Sequence, residues 1–497
     1  MSLELGFRNA GRDVAVTVIG EILYVVLGYG VTVLIARMAG TEALGLYSLS
    51  LVILNVGEVC SNMGFKQANL RFIPLYLGLG YKDFAKGIVV FGLRLVGLTA
   101  AMGAVLLFGF STTKSGYFRT HPALPDAMKL VTIALPVLAL RGVGSFALLG
   151  FKAIRQRVLA DKVIDPGIRL VSVGLFFLLG LKVLGGVLAM LMGVLASTGA
   201  AFYWLKVVTA GHLRTTEPRY ETRSWLSYSI PLMFQSLAVF LQPSIPLLLL
   251  EYFQGATQVG IFSAAIKVAT LVSLPLIGLN TVFAPRVAEQ SAEVAKLGRL
   301  YKAMTAWTMS ISLLPFLGIL FAAGSIMKIF GPEFGSYSNL LTLLAVGYLV
   351  WAGNGSAGCI LVMTGRAKVS LLNAILGVVL SFLLNLWLIP SLGIQGAAIA
   401  NTVVLLAGSL LALGEVFYLM RLQPYGRGSL RAVVAGAAAT LALLLLARLG
   451  DKPTQLALST TIYLVAFWVL SSDGEKKRYY RILATAMENA RQILRSG

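Results

Sequence analysis

Residues 38–54 read MAGTEALGLYSLSLVIL, and residues 253–269 read FQGATQVGIFSAAIKVA. Gly40, Gly45 and Ser48 of the first stretch fall on Gly255, Gly260 and Ser263 of the second, at a constant offset of 215. A second pair repeats the relation. FKAIRQRVLADKVIDPGIRLVSVGLFFLLGLKVLGGVLA over 151–189 is echoed by VMTGRAKVSLLNAILGVVLSFLLNLWLIPSLGIQGAAIA over 362–400, where Gly186 falls on Gly396 at an offset of 210. Self-similarity at such spacing means that one larger unit has been used twice.

Working outward from the repeats, the chain divides into fourteen apolar segments, from 14–36 at the first to 456–470 at the last. Most are near the roughly 20 residues that carry a helix across a bilayer's hydrocarbon. Each repeat holds six segments, an even number, so both copies enter the membrane in the same orientation. A parallel repeat predicts two lobes related by an axis along the membrane normal, with a substrate cavity between them. The expected fold is therefore all-α: a polytopic membrane protein of about 14 transmembrane helices. Its divisions are a six-helix lobe over 1–210, a second over 211–422, two additional helices over 423–472 and a cytoplasmic amphipathic tail over 473–497. The polar stretch 206–224 joins the halves, and 286–302 reads as a further short amphipathic helix.

Composition agrees. Hydrophobic residues make up 58% and charged residues 12%, a balance foreign to a soluble domain of 497 residues. The net charge of +21 comes from cations dispersed over short loops. That dispersal speaks against a nucleic-acid partner and for contact with anionic membrane lipids. With the N-terminus inside, the tails and even-to-odd gaps hold thirty Lys and Arg, counting Arg169 at the edge of the fifth segment with its gap. The opposite gaps hold eight. Cytoplasmic loops are the ones enriched in Lys and Arg, so both termini are expected in the cytoplasm and the chain in the inner, cytoplasmic cell membrane. Two cysteines, Cys60 and Cys359, lie inside segments and form no disulfide framework. His121 and His212 have no metal-ligand spacing, and Walker, dinucleotide and G-x-S-x-G patterns are absent. No cofactor, no metal and no enzymatic activity are expected, and transport driven by this chain's own ATP hydrolysis is excluded.

An ionised side chain deep in a membrane costs at least ~2.5–3.5 kcal/mol on insertion scales, so each one requires a reason. Lys267 lies near the middle of its segment, and Arg94 and Arg141 lie at middle-to-cytoplasmic depth. Glu21 and Glu58 sit in the first two segments. Cations there serve an anionic substrate, pair with a carboxylate, or snorkel to the interface. The two acids serve either as sites for H⁺ or Na⁺ coupling and gating or as packing salt bridges. Pro136, Pro231, Pro243, Pro246, Pro275 and Pro315, with GNGSAG from Gly353, predict helix irregularities.

IARMAGTEALGLYSLSLVI from Ile35, ANLRFIPLYLG from Ala68 and TGRAKVSLLNAILGVVLSFLLNLWLIPSLGIQGAAIANT from Thr364 resemble the polysaccharide-transporter branch of the multidrug/oligosaccharidyl-lipid/polysaccharide exporter superfamily. That branch includes the O-antigen and exopolysaccharide flippases. The resemblance covers residues 8–422. It implies two six-helix bundles around a V-shaped cavity that opens alternately to either face. It also implies a polyprenyl-pyrophosphate-linked oligosaccharide as substrate, with a polysaccharide polymerase and glycosyltransferases as associated proteins. On that reading Lys267, Arg94 and Arg141 hold the anionic head group, Arg as a bidentate fork and Lys as a point charge. The competing reading is an ion-coupled drug or metabolite antiporter of the same superfamily. A membrane-embedded glycosyltransferase or polymerase is disfavoured because the longest outer gap runs only over 111–129.

Overall fold

The computed structural model describes residues 2–113, 124–181, 184–213, 216–291, 293–446, 461–463 and 465. Among these residues the structure is helical, without strands. The reason is the solvent. In hydrocarbon every backbone N–H and C=O must be satisfied within the segment, and a helix does this alone. Nine helical stretches among the described residues are long and apolar enough to cross a membrane, which makes this a multi-pass membrane protein.

The helices are α1 Ser2–Asn62, α2 Phe65–Gly78, α3 Lys82–Ser111, α4 Leu124–Gly150, α5 Ile154–Val158, α6 Asp165–Leu178 and α7 Gly185–Leu213. They continue as α8 Thr222–Gln254, α9 Ala256–Ala269, α10 Leu274–Glu289, α11 Val294–Met327, α12 Ser338–Gly353, α13 Ala357–Met363, α14 Ala367–Met420 and α15 Arg427–Leu446. The chain forms two compact units. Unit 1 comprises Met1–Lys267, Met327–Tyr337 and Ala374–Asn401; unit 2 comprises Val268–Ile326, Ser338–Asn373 and Thr402–Gly497.

Two of the nine stretches are each longer than one crossing and are broken by glycine. Gly40 interrupts α1 at φ 85°, ψ −174°, and Gly393 interrupts α14 at φ 59°, ψ −137°. Side chains other than hydrogen do not settle in such backbone conformations. Gly255, the repeat partner of Gly40, has φ 84°, ψ 172° and separates α8 from α9. The first identical pair of the repeat is thus one tight turn made twice.

The other two identical pairs meet each other within unit 1. Gly45 of α1 lies so close to α9 that a Cβ there would overlap the Ala256 carbonyl oxygen, and a Cβ on Gly260 would overlap that of Thr41. Ser48 Oγ donates to Ser263 Oγ at 2.9 Å. Thr41 and Ala256, Gly45 and Gly260, and Ser48 and Ser263 are all related by the same offset of 215. The contact is self-complementary, as a two-fold interface between identical patches must be. Small residues let two backbones approach where lipid supplies no hydrophobic drive.

In unit 1, α3 packs on α4 and α4 on α7. A buried core of Phe65, Phe72, Ile88, Val96 and Trp225 lies at one end. In unit 2, Asn354 and Gly355 break the helix between α12 and α13, as GNGSAG predicts. Tyr301 of α11 donates there to the Asn354 carbonyl at 3.1 Å, and a Cβ on Gly355 would overlap Thr305 Oγ. Pro136, Pro231, Pro243, Pro246 and Pro315 lie inside helices. Pro275 follows a 3-10 turn over Thr270–Ser273 and starts α10, where its missing N–H costs little.

Two sequence expectations change. Residues 286–302 are not a separate helix; they are the end of α10 and the start of α11, joined by a short turn. Apolar flanks extend both long helices into the polar stretch. The joining stretch 206–224 is shorter than its composition predicts, because α7 runs to Leu213 and α8 begins at Thr222. The tail 473–497 and most of the segment 456–470 lie outside the described residues.

Candidate functional site: a charged cluster within unit 1

The site begins where α1 ends. Met63 and Gly64 adopt left-handed backbone, φ 47° and 77°, and turn the chain into α2. Across this turn Lys66 Nζ lies 2.6 Å from Glu58 Oε1. Asn62 Nδ2 donates to the same oxygen at 3.1 Å and to the Ala139 carbonyl of α4 at 3.2 Å. Glu58 is 3% exposed. Gly142 of α4 makes room for the group, since a Cβ there would come within 2.7 Å of both Glu58 and Lys66.

Arg141, the residue before that glycine, faces the helix formed by α5, a π-helical turn over Leu159–Ile164, and α6. This helix carries Arg157, Asp161, Asp165 and Arg169 four residues apart, so they share one face. Arg141 Nη1 donates to Asp165 Oδ2 at 2.8 Å and to Ser197 Oγ of α7 at 2.8 Å. Arg169 grips the same carboxylate with two bonds, Nε to Oδ1 at 2.7 Å and Nη2 to Oδ2 at 2.9 Å. Asp161 accepts from Ser145 Oγ at 2.8 Å and lies 3.5 Å from Arg157 Nε. Phe146 stacks beneath both ends of the set, with the Arg157 guanidinium 4.5 Å and Lys66 Nζ 5.8 Å from its ring centre. Gly193 of α7 leaves space for Arg169 and Asp165. Glu58, Lys66, Arg141, Asp161, Ser145 and Asn55 line a polar cavity of about 80 Å³, room for a water or small ion but not for a sugar.

The five residues singled out by depth therefore separate. Glu58 and Arg141 meet in the cluster. Glu21, on the first half of α1, is 3.0 Å from Lys162 and is half exposed; the Lys162 ammonium also lies 4.4 Å from the Tyr24 ring centre. Lys267 lies elsewhere in unit 1, on α9, where Nζ donates to the Gly28 carbonyl of α1 at 2.7 Å and to Thr32 Oγ. Tyr29 in turn donates its hydroxyl to the Lys267 carbonyl. Arg169 is within electrostatic range of Lys267. Arg94 joins none of these. It is exposed on α3 in line with Leu98, Met102 and Val105, which are 62%, 60% and 71% exposed, on a stripe with the character of a lipid-facing surface. A long cationic side chain on such a stripe lays its stem on the apolar surface and lifts its head toward water.

Depth alone does not find Asp161, Asp165 and Arg169, which sit where hydropathy marks a loop edge. Their spacing of four was the available signal. Counted together among the described residues, the six cations Lys66, Arg141, Arg157, Lys162, Arg169 and Lys267 outnumber the five carboxylates Glu21, Glu58, Asp161, Asp165 and the buried Glu251, so this set in unit 1 is net cationic by one charge. Its guanidinium and ammonium donors are held in place by carboxylates, hydroxyls and carbonyls. That arrangement attracts anions. Among the described residues no group of three His, Cys, Asp or Glu could hold a metal ion.

At the polar end of unit 1, Tyr76 of α2 donates to Glu221 Oε2 at 2.6 Å and accepts from Trp225 Nε1 at 2.9 Å. Burial and then the bond to Glu221 push the phenol up to about 12, so it remains a donor. Arg219 N–H donates to the Asp83 carbonyl at 3.1 Å, and Lys86 Nζ donates to the Thr216 carbonyl at 2.7 Å. The stretch joining the repeats is thereby tied down on α2 and α3.

Residues 10–291 match the sequence profile of a family described as "Polysaccharide biosynthesis protein". The capsular polysaccharide biosynthesis protein CapF of Staphylococcus aureus is 29% identical over 186 residues, 35% of this chain and 45% of that protein. The match thus spans less than half the length of that relative. Among solved structures, the lipid II flippase MurJ in an inward closed conformation superposes with a TM-score of 0.70 at 13% identity, covering 94% of this chain and 99% of that one. An inward-facing multidrug resistance MATE family transporter of the MOP superfamily gives 0.65 at 17% identity, covering 80% and 94%. A MOP superfamily transporter from Pyrococcus furiosus gives 0.56 at 17% identity, covering 86% and 95%. At these identities the likeness is one of fold, and the fold is that of the MOP-superfamily transporters.

Proposed function

The chain belongs to the polysaccharide biosynthesis protein family, and from that premise we propose that it is a flippase for lipid-linked glycans. It carries a polyprenyl-pyrophosphate-linked oligosaccharide from the cytoplasmic to the outer leaflet by alternating access. The protein resides in the cytoplasmic membrane with both termini inside, in line with the distribution of Lys and Arg. Glycosyltransferases supply its substrate and a polysaccharide polymerase consumes the product.

The observation that carries this reading is the net positive set of charges in unit 1. A pyrophosphate entering a low-dielectric site needs cations that are already in position, because Coulomb attraction is little screened there. Arg141 and Lys267 supply that charge from two places in the unit. Arg94, on the exposed face of α3, meets phosphate at the membrane surface. Glu58 and Glu21 serve the energy coupling. A proton or Na⁺ taken up by either carboxylate releases the lysine bound to it, Lys66 or Lys162, and so changes the charge presented to the substrate.

The test follows the leaflet occupied by lipid-linked glycans in cells depleted of the protein. The completed oligosaccharide is expected to accumulate on the cytoplasmic leaflet and to be cleared by the wild-type chain but not by Lys267→Gln, produced in equal amount. Normal outward exposure without the protein, in cells with no redundant flippase, overturns the reading and favours the antiporter.

A further inference from the structure

A second cavity of unit 1 belongs to neither the charged cluster nor Lys267. It is a slot of about 630 Å³ between α3 and α7, lined at one end by Lys86, Lys206 and Thr209 and at the other by Val90, Leu93 and Phe202. Both helices run lengthwise along it in opposite directions, so its chemistry changes with depth. Lys86 is one turn from the start of α3 and Leu93 is about two turns deeper; Lys206 is two turns from the end of α7, with Phe202 a turn deeper still. The slot is cationic at its mouth and apolar below, and the neighbouring face of α7 is a lipid-facing one, with Tyr203 66% and Val207 56% exposed.

We propose that this slot binds an anionic phospholipid of the leaflet on that side, with one acyl chain along Val90, Leu93 and Phe202 and the phosphate between Lys86 and Lys206. Charge complementarity selects the occupant: two ammonium groups converge on an otherwise apolar slot, the arrangement by which basic pockets between transmembrane helices take up anionic head groups. Lys206 is exposed. Lys86 spends one hydrogen on the Thr216 carbonyl and has two left, so the joining stretch holds it in place without using it up. The same stretch packs tightly on α3 next to Lys86. It crosses α3 so closely at Gly87 that a Cβ there would overlap the Arg219 carbonyl oxygen. The assignment does not depend on what the protein transports.

The experiment uses the full chain, purified and exchanged into nanodiscs of dioleoylphosphatidylcholine with one part in five dioleoylphosphatidylglycerol, and counts lipids retained by native mass spectrometry. The wild-type chain is expected to keep phosphatidylglycerol at least fivefold over its share of the mixture. Lys206→Gln, which breaks no hydrogen bond or ion pair among the described residues, is expected to lose most of that enrichment, as is the slot-filling change Val90→Phe, which alters no charge. Lys152→Gln, another exposed lysine on the same side, should keep it. Equal retention of both lipids by the wild-type chain overturns the proposal. So does enrichment that survives both Lys206→Gln and Val90→Phe, or added undecaprenyl diphosphate that displaces phosphatidylglycerol from the wild-type chain at equimolar ratio.

Discussion

The seam at Gly45 and Gly260 and the cluster around Asp165 both involve α1, yet they use the internal repeat in opposite ways. At the seam the two copies supply the same residues and these touch each other across a self-complementary contact. At the cluster the copies differ. At the offset of 210, Arg157, Asp161, Asp165 and Arg169 fall on Ala367, Leu371, Ile375 and Val379. At the offset of 215, Glu58 and Lys66 fall on Ser273 and Thr281. The repeat therefore keeps what builds the helix contact and gives this ion-paired cluster to one copy alone. A transporter made of two like halves needs some such asymmetry if only one half is to respond to an anion or a coupling ion.

Removing charge from the cluster should have the largest effect. Asp165→Asn leaves Arg141 and Arg169 facing a neutral group in a buried site and is expected to cost about 3–5 kcal/mol, read as loss of monodisperse protein on heating in detergent. Replacing Arg141, Asp165 and Arg169 together by leucine, so that the site is apolar as at Ile375 and Val379 of the second copy, should restore most of that stability while transport stays lost. If the triple variant transports normally, the asymmetry has no functional meaning.

Gly45→Ala and Gly260→Ala come next, at about 1–3 kcal/mol each, because a backbone carbonyl rather than a flexible side chain stands in the way. The two should be nearly equal, as a two-fold contact requires. A difference of more than about 1 kcal/mol between them, on the scale of one ordinary hydrogen bond, would refute the symmetric description of the seam. Ser48→Ala and Ser263→Ala should each cost about 0.5–1.5 kcal/mol, with a double variant that costs less than their sum. Additive effects would mean that the two hydroxyls do not rely on each other.

Legibility followed the kind of physics involved. The spans, the repeat and the glycine-serine motif could be read because each is a local constraint written at fixed spacing: hydrocarbon thickness, a tight turn, a close helix crossing. Glu58 and Arg141 were visible as ions at depth, but their partners were not, since Asp165 and Arg169 stand at the rim of an apolar segment and resemble a loop. The π-helical turn over Leu159–Ile164 carries one unbroken helix through that rim and brings Asp161 and Asp165 against α4. Lys267 and Arg94 looked alike in hydropathy and proved different, one bonded to the α1 backbone and the other exposed on a lipid-like stripe.

By itself the sequence determined that this chain crosses a membrane many times, that it uses one unit twice, and that cations are placed where they cost free energy. These are properties of composition and spacing along one dimension. Which carboxylate answers which cation, that Gly45 meets Gly260, and that Lys267 is held by a carbonyl were decided only by tertiary structure. Pairing energy depends on distances of 3–4 Å between residues far apart in the chain, and helix rotation, which hydropathy constrains loosely, sets those distances.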